Sequence, residues 1–232
     1  MIEMNHSFKK GVICLNQRMK AISDAAARLF LRQGYARTQI SHIAKAAGVS
    51  VGTIYLDFAG KREILSYLLK CALDPHFAEQ ELDRPVTEAL FAGLEEEIAA
   101  HFERSGRAFA SHLQDGGYGF EDLLSDAFDL LARYAVGCLF IEKNQFDFQE
   151  LARPYVAYRK QFFDTMTAYI RALIGRGALR PLEHLELSTA LIVETLSWWA
   201  MDVRYTAFET KDIPPELAKQ VCLDNLVAAY KR

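Results

Sequence analysis

The sequence predicts an all-α protein, because apolar residues recur at helical spacing along almost its whole length. No stretch shows the strict alternation of apolar and polar residues that indicates a half-buried strand. The six prolines are few for this length and fall near the edges of apolar segments, where a helix tolerates them best. Together these observations favour eight to ten helices in two domains.

The first domain, over residues 17–75, is predicted to be a three-helix helix-turn-helix domain, followed by a fourth helix that joins it to the second domain. The spans of these four helices are 17–33, 39–47, 51–58 and 61–73. Each break contains a glycine, at position 34, 48 or 60, which ends a helix readily because glycine adopts positive φ without steric cost. Thr38 is the predicted N-cap of the second helix. Residues 1–16 are expected to form a loose N-terminal arm.

Longer helices are predicted after Pro85, in a second domain over residues 76–232. Their spans are 86–105, 120–143, 148–175, 184–208 and 215–230. The helices over 148–175 and 184–208 carry apolar residues on two sides, whereas a surface helix needs only one apolar stripe. We expect one side to face their own core and the other to face a further surface.

Charge is distributed unevenly along the chain. Residues 1–70 contain 11 lysines and arginines against 4 acidic residues, whereas the rest contains 16 against 26. A basic head on an acidic body suits a protein that binds a polyanion through its N-terminal part. A chance cluster of basic residues on a solvated face is the alternative, and charge alone does not decide between them.

Several classes of protein are disfavoured by the composition. No apolar run reaches the roughly 18 residues that a membrane helix needs, and no signal peptide is recognisable, so we expect a cytoplasmic protein. The cysteines are far apart and the histidines are scattered, which predicts no metal site and no cofactor. No nucleophile–base set or phosphate loop indicates an enzyme. The acidic C-terminal part disfavours a non-specific DNA-packaging protein.

Residues 40–55 have the pattern of a helix-turn-helix. Two short helices that cross closely need a small residue in the first helix, and Ala44 provides it. The tight turn needs a residue without Cβ strain, which Gly48 provides. Ile43, Ala47, Val49 and Ile54 are spaced to fill the shared core. All these features in one register, inside the basic segment, predict a DNA-binding motif.

The same segment resembles the N-terminal domain of TetR-family transcription regulators. The resemblance rests on GY at 34–35, T at 38, IA at 43–44, AGVSVGTIY at 47–55, F at 58, K at 61 and EIL at 63–65. It covers about 55 residues, whereas the remainder resembles the family only in being a helical domain of suitable length. It implies a homodimer that binds an inverted-repeat operator in double-stranded DNA.

The resemblance implies DNA-contacting roles for matching residues. The third helix would enter the major groove, and the implied contact residues are Thr38, Ser50, Val51, Gly52, Thr53, Tyr55 and Lys61. Gly52 would let the backbone approach closely, and Thr53 could touch a base edge or thymine methyl. Tyr55 and Lys61 would touch phosphate, although simple packing on the first helix is an alternative for Tyr55.

Asp57 departs from the family pattern, in which a neutral residue is frequent. Its carboxylate either points away from DNA, pairs with Arg62 or another neighbouring base, or accepts a hydrogen bond from a cytosine amine. Val51 also lacks the positive charge that some relatives carry.

The resemblance further implies a dimer interface and a ligand pocket in the second domain. The interface would involve 148–175 and 184–208, with a thick monomeric core as the alternative. The candidate ligand-contacting residues are His101, Phe102, Phe109, Tyr134, Arg159, Phe162 and Trp198. Such a pocket suits a small, mostly apolar effector, although aromatic residues at helical spacing also suit a plain core. We expect a repressor that the effector releases from DNA, with an activator or a co-repressor-dependent regulator as the alternative.

Overall fold

The computed structural model describes residues 2–207 and 213–232, with side chains for these residues except 2–15 and Gln114. The prediction of an all-α fold is confirmed, since the regular structure of this part is helical apart from two isolated β-bridges. None of the described helices is long and apolar enough to span a membrane. The chain divides into two compact units, Met1–Glu96 and Glu97–Arg232.

The helices of the first unit begin with a long α1. Their bounds are α1 Ile2–Gln33, α2 Ile40–Ala47, α3 Val51–Asp57 and α4 Lys61–Leu73, followed by 3-10 helices at Pro75–Glu79 and Glu88–Phe91. The second unit contains most of α5 Leu94–Ala110, then α6 Phe120–Lys143, α7 Gln149–Gly175, α8 Leu185–Ser197 and α9 Pro215–Tyr230. A 3-10 helix at Ser111–Gln114 follows α5.

The start of α1 differs from the sequence prediction. The helix begins at Ile2 and not near residue 17, so the prediction of a loose arm is wrong for the backbone of 2–16. This stretch contains no proline and one glycine, Gly11, so nothing in it forces the helix to stop. Residue 1 lies outside the described residues.

The segment after α4 packs back onto the first unit. Phe58, Tyr67, Phe77 and Phe91 form a chain of ring contacts with centroid distances of 5.5, 5.7 and 6.3 Å. The backbone of Val86 pairs with the end of α3. Because this segment shares the core of the helix-turn-helix, the compact unit ends after Glu96, whereas the sequence analysis divided the chain after residue 75. For the same reason α5 begins at Leu94 and not near residue 86.

An aromatic core connects α5 with α7 in the second unit. Phe102 stacks on Tyr158 with ring centroids 4.9 Å apart, and Phe109 stacks on Phe162 at 5.1 Å. The hydroxyl of Tyr169 donates to the backbone oxygen of Phe109 at 2.6 Å. One predicted apolar stripe of α7 is thus fully buried in this core, through Leu151, Tyr155, Tyr158, Phe162, Met166, Tyr169 and Leu173.

A π-helical turn at Trp198–Asp202 follows α8 and changes its register. Leu187, Leu191 and Trp198 stay exposed along one line of the helix, but Met201 is 1% exposed and belongs to the core. A regular helical period over 184–208 would place Met201 on the same side as Leu191. The wider turn rotates the residues that follow it, which a regular period cannot anticipate.

Candidate nucleic-acid interface

A tight turn holds α2 against α3. Gly48 ends α2 with φ +70°, in the left-handed region that favours glycine. The amide of Val49 donates to Ala44 O at 3.0 Å, and this bond closes the turn. Ile43, Ala44 and Ile54 are buried between the two helices. Of the residues predicted to fill the shared core, Ile43 and Ile54 are buried, whereas Ala47 and Val49 are only half-buried.

Ser50 caps α3 and fixes its first turn. The amide of Thr53 donates to Ser50 Oγ at 3.0 Å, and the two hydroxyl oxygens lie 2.8 Å apart. Such a cap typically contributes about 1 kcal/mol to helix stability. Both hydroxyl groups remain at the surface, where they could also meet a ligand.

The outer face of α3 is open to solvent. Ile54 and Asp57 point inward, whereas Val51, Tyr55 and Leu56 are 41%, 50% and 65% exposed. Half of the Tyr55 surface is free, so simple packing on α1 is disfavoured as its only role. Leu56 was not among the predicted contact residues. Its position two residues after the buried Ile54 and four after Gly52 is nevertheless sufficient to place it on the exposed side of the helix.

Gly52 lies in the middle of this outer face without an internal reason to be glycine. A Cβ built on Gly52 would meet only Ser50 Oγ, at an ordinary distance of 3.7 Å. Its φ lies outside the positive range that favours glycine. Glycine in a helix costs about 1 kcal/mol relative to alanine. The missing side chain therefore leaves room for something outside the protein.

The Asp57 side chain is completely buried and forms ion pairs with two arginines. Arg18 donates to both of its carboxylate oxygens, at 2.6 and 2.5 Å, and Arg84 donates to Oδ1 at 3.1 Å. Asp57 therefore points away from the outer face of α3. Its partners are thus Arg18 and Arg84 and not Arg62, which was one of the predicted bases. Arg62 lies 3.7 Å from Glu95. Both arginines come from distant parts of the chain, which local sequence could not identify.

Lys61 connects the start of α4 to the loop after α1. Its ammonium group donates to the backbone oxygens of Tyr35 and Thr38, at 2.8 and 2.9 Å, and lies 4.1 Å from the centroid of the Tyr35 ring. Burial lowers the pKa of Lys61. An ammonium group has three donors. Two of them donate to these backbone oxygens, and a phosphate contact by the third stays a prediction.

Thr38 is 1% exposed, and its hydroxyl and amide groups both donate to backbone oxygens of the same loop. Its hydroxyl donates to Gly34 O at 2.8 Å, and its amide donates to Tyr35 O at 3.1 Å. Gln39 occupies the N-cap position of α2, so the N-cap prediction for Thr38 is wrong by one residue. A phosphate contact by Thr38 stays a prediction, and it would require the hydroxyl to turn outward.

A second candidate site is a cleft of about 320 Å³ between α5 and α6. Its lining residues are Ser105, Ala108, Phe109, His112, Asp126, Asp129, Leu130, Arg133 and Tyr134. The hydroxyl of Tyr118 donates to Asp126 at 2.8 Å, and Lys219 donates to Asp129 at 2.7 Å. The cleft therefore combines apolar walls with charged groups.

The structure divides the predicted ligand-contacting residues into three groups. Phe109 and Tyr134 line the cleft, and His101 lies beside it, with its ring 4.9 Å from that of Tyr134. Phe102 and Phe162 are buried in the aromatic core behind it.

Arg159 and Trp198 do not line the cleft. Arg159 bonds to Ser197 and Glu194, at 3.1 and 3.2 Å. Trp198 is 43% exposed at the end of α8.

Known proteins resemble this chain most clearly over the helix-turn-helix. Residues 22–68 match the family model for bacterial regulatory proteins of the tetR family. Over 72 residues the chain is 43% identical to the HTH-type transcriptional regulator HbdR of Aromatoleum sp. (strain CIB), with 31% of each chain covered. Over 62 residues it is 44% identical to the fatty acid metabolism regulator protein of Bacillus subtilis (strain 168), covering 27% of this chain and 32% of that one.

These matches span about a third of the length of the two relatives, both of which are named as regulators. The fold extends the similarity over nearly the whole chain. The solved structure of the ketosteroid transcriptional regulator KstR2 of Mycobacterium tuberculosis superimposes with a TM-score of 0.55 at 17% identity, covering 93% of this chain and 95% of that one. The chain therefore resembles the tetR family of bacterial regulatory proteins in the sequence of its helix-turn-helix, over residues 22–68, and shares the fold of KstR2.

Proposed function

We propose that the chain is a homodimeric, cytoplasmic transcription regulator that binds an inverted-repeat operator and is released from it by a small effector. The observation that carries the DNA-binding part is the open face of α3. A capped, rigid recognition helix exposes a glycine that its own packing does not require. A DNA major groove, about 12 Å wide, accommodates such a helix when its backbone can approach closely.

Electrostatics support the same surface. Exposed basic side chains are present on α1, on α2, at the start of α4 and in the loop after α1, namely Arg28, Arg32, Arg37, Lys45 and Arg62. Phosphate contacts of this kind supply sequence-independent affinity and position the helix that reads the bases. Lys61 contributes a partly buried positive charge next to the same loop.

Exposed apolar residues on α7 and α8 support dimerisation. Leu187, Leu191 and Trp198 are 71%, 61% and 43% exposed, and Val156 on α7 is 61% exposed. Exposed apolar side chains that recur along one line of a helix are typical of an interface between proteins. Two-fold symmetry would then place two recognition helices in successive major grooves of one inverted repeat.

The cleft between α5 and α6 is the best candidate for the effector site. Phe109, Leu130 and Tyr134 offer apolar contact, whereas Asp126 and Arg133 offer charged groups. We infer an effector with an apolar body and a polar end, which refines the mostly apolar ligand that the sequence analysis expected. Effector binding would shift the population towards a dimer with unsuitable spacing of its recognition helices, with a coupling of typically about 1–3 kcal/mol.

Selection of binding sites from genomic DNA by the purified protein tests the proposal. The best site is then titrated by fluorescence anisotropy at several salt concentrations. We expect an inverted repeat that binds two protomers, with affinity that falls steeply as salt increases. Binding that is indifferent to sequence would contradict the proposal. An effect of the effector in the opposite direction, tightening DNA binding, would favour the co-repressor alternative.

A further inference from the structure

The outer face of α3 is apolar at its centre. With 100° between successive residues, the direction opposite the buried Ile54 and Asp57 falls close to Gly52, with Tyr55 on one side of it and Leu56 on the other. Leu56 is 65% exposed, the largest exposure among the apolar side chains of this helix. The helix is seven residues long, so both of its turns can lie within one major groove.

The recognition helix has no exposed charged group. Asp57 is its one carboxylate, and it is buried against Arg18 and Arg84. Guanine and adenine are commonly read by arginine, lysine, asparagine or glutamine, none of which occurs in α3. Hydroxyl groups of Ser50, Thr53 and Tyr55 can bond to base edges. The side chain of Leu56, the most exposed apolar side chain of this helix, cannot.

The 5-methyl group of thymine is the one apolar feature that a base pair presents in the major groove. Since Gly52 lets the backbone approach, the side chain one turn later is carried towards the base edges. We propose that Leu56 recognises a thymine methyl group in each half-site and thereby selects an A·T pair at that position. This inference rests on the proposed DNA-binding function and names what its recognition helix reads.

Deoxyuridine substitution tests the assignment, because it removes the methyl group and preserves base pairing. Each thymine of the selected half-site is replaced in turn, and affinity is measured by anisotropy for the wild type and for Leu56→Ala. We expect one position at which loss of the methyl weakens wild-type binding by about fourfold, the value for one buried methyl-sized group. At this position Leu56→Ala should bind both operators equally, because residue and methyl contribute one shared contact.

Leu90→Ala is the matched control, since Leu90 is 43% exposed in the same unit but outside α3. It should retain the wild-type response to deoxyuridine. Specific binding that ignores every deoxyuridine would overturn this inference and leave the proposed function intact. If deoxyuridine weakens binding of Leu56→Ala as much as it weakens binding of the wild type, another residue contacts the methyl group and the inference is wrong. Failure of the wild type to select any site would overturn the proposed function and this inference with it.

Discussion

The carboxylate of Asp57, the last residue of α3, accepts a hydrogen bond from Arg84 at 3.1 Å. The backbones beside these residues are also paired. The amide of Val86 donates to Asp57 O at 2.9 Å, and the amide of Ala59 donates to Val86 O at 3.0 Å. The end of the recognition helix is therefore held by a segment that follows α4 in the sequence, as well as by its own motif.

Asp57→Asn should destabilise the protein. The substitution removes the negative charge that compensates Arg18 and Arg84, and breaking such a buried pair typically costs about 3 kcal/mol. Urea unfolding measures the loss. Asp24→Asn is the control, because Asp24 pairs with Lys20 at an exposed site and should change stability by less than about 0.5 kcal/mol. Equal stability of Asp57→Asn and the wild type would show that the two arginines do not depend on this carboxylate.

Arg84→Gln should weaken operator binding by about fivefold, or about 1 kcal/mol. The substitution removes one of the two ion pairs that fix Asp57 at the end of α3, so the helix is positioned less firmly. Stability should fall little, since the Arg84 side chain is 31% exposed. Anisotropy at several salt concentrations separates positioning from direct contact. Loss of a phosphate contact reduces the salt slope by about 1, whereas loss of positioning leaves the slope unchanged. Arg107→Gln, in an exposed pair with Glu103, is the control for charge removal.

Gly52→Ala should increase stability and reduce DNA affinity. A Cβ at this position meets no close neighbour within the protein, so α3 should gain up to about 1 kcal/mol of helix propensity. The same methyl group should obstruct the approach of the backbone to the bases and weaken binding at least about tenfold, or 1.4 kcal/mol. Thermal unfolding and anisotropy measure the two effects. Unchanged affinity would mean that the open face of α3 does not contact DNA closely.

Acidification should destabilise the second unit through His101. Burial, assisted by the positive charge of Arg104, lowers the pKa of His101, and Nε2 has no hydrogen-bond partner among the described residues. Below about pH 6.5, the ordinary pKa of histidine, the unfolded chain binds the proton more readily than the folded protein does. The free energy of unfolding should therefore decrease as the pH is lowered, until the lower pKa of His101 in the folded protein is passed. Urea unfolding at pH 7.5 and 5.5 should show a smaller loss for His101→Phe than for the wild type. His184→Phe, at an exposed position, should behave like the wild type.

Leu191→Glu should convert a dimer into monomers. Leu191 is 61% exposed on α8, and a charge at the centre of an apolar interface is unfavourable. Sedimentation at micromolar concentration measures the oligomeric state. Leu217→Glu, on α9 at 49% exposure, should leave it unchanged. A monomeric wild type, or a dimer indifferent to Leu191→Glu, would contradict an interface on α8.

Local signals made the helix-turn-helix predictable. Gly48 and the spacing of Ile43 and Ile54 each act on neighbours within a few residues, so their pattern identifies the turn and the buried face. The exposure of Leu56 follows from the same spacing. The predicted span of α6 also agrees with the structure. Its apolar residues recur at helical spacing from the glycines at 116–119 to the polar residues at 143–145, so both ends are marked in the sequence.

The sequence by itself determined the all-helical fold, the position of the recognition helix and the basic character of its surroundings. Tertiary structure decided the partners of Asp57, since Arg18 and Arg84 are 39 and 27 residues away. It also decided that Thr38 faces inward, that Met201 rotates into the core and that Arg159 and Trp198 lie away from the cleft. Helix formation and capping depend on residues close in sequence. The direction of a side chain depends on which distant surface it meets, and only packing determines that.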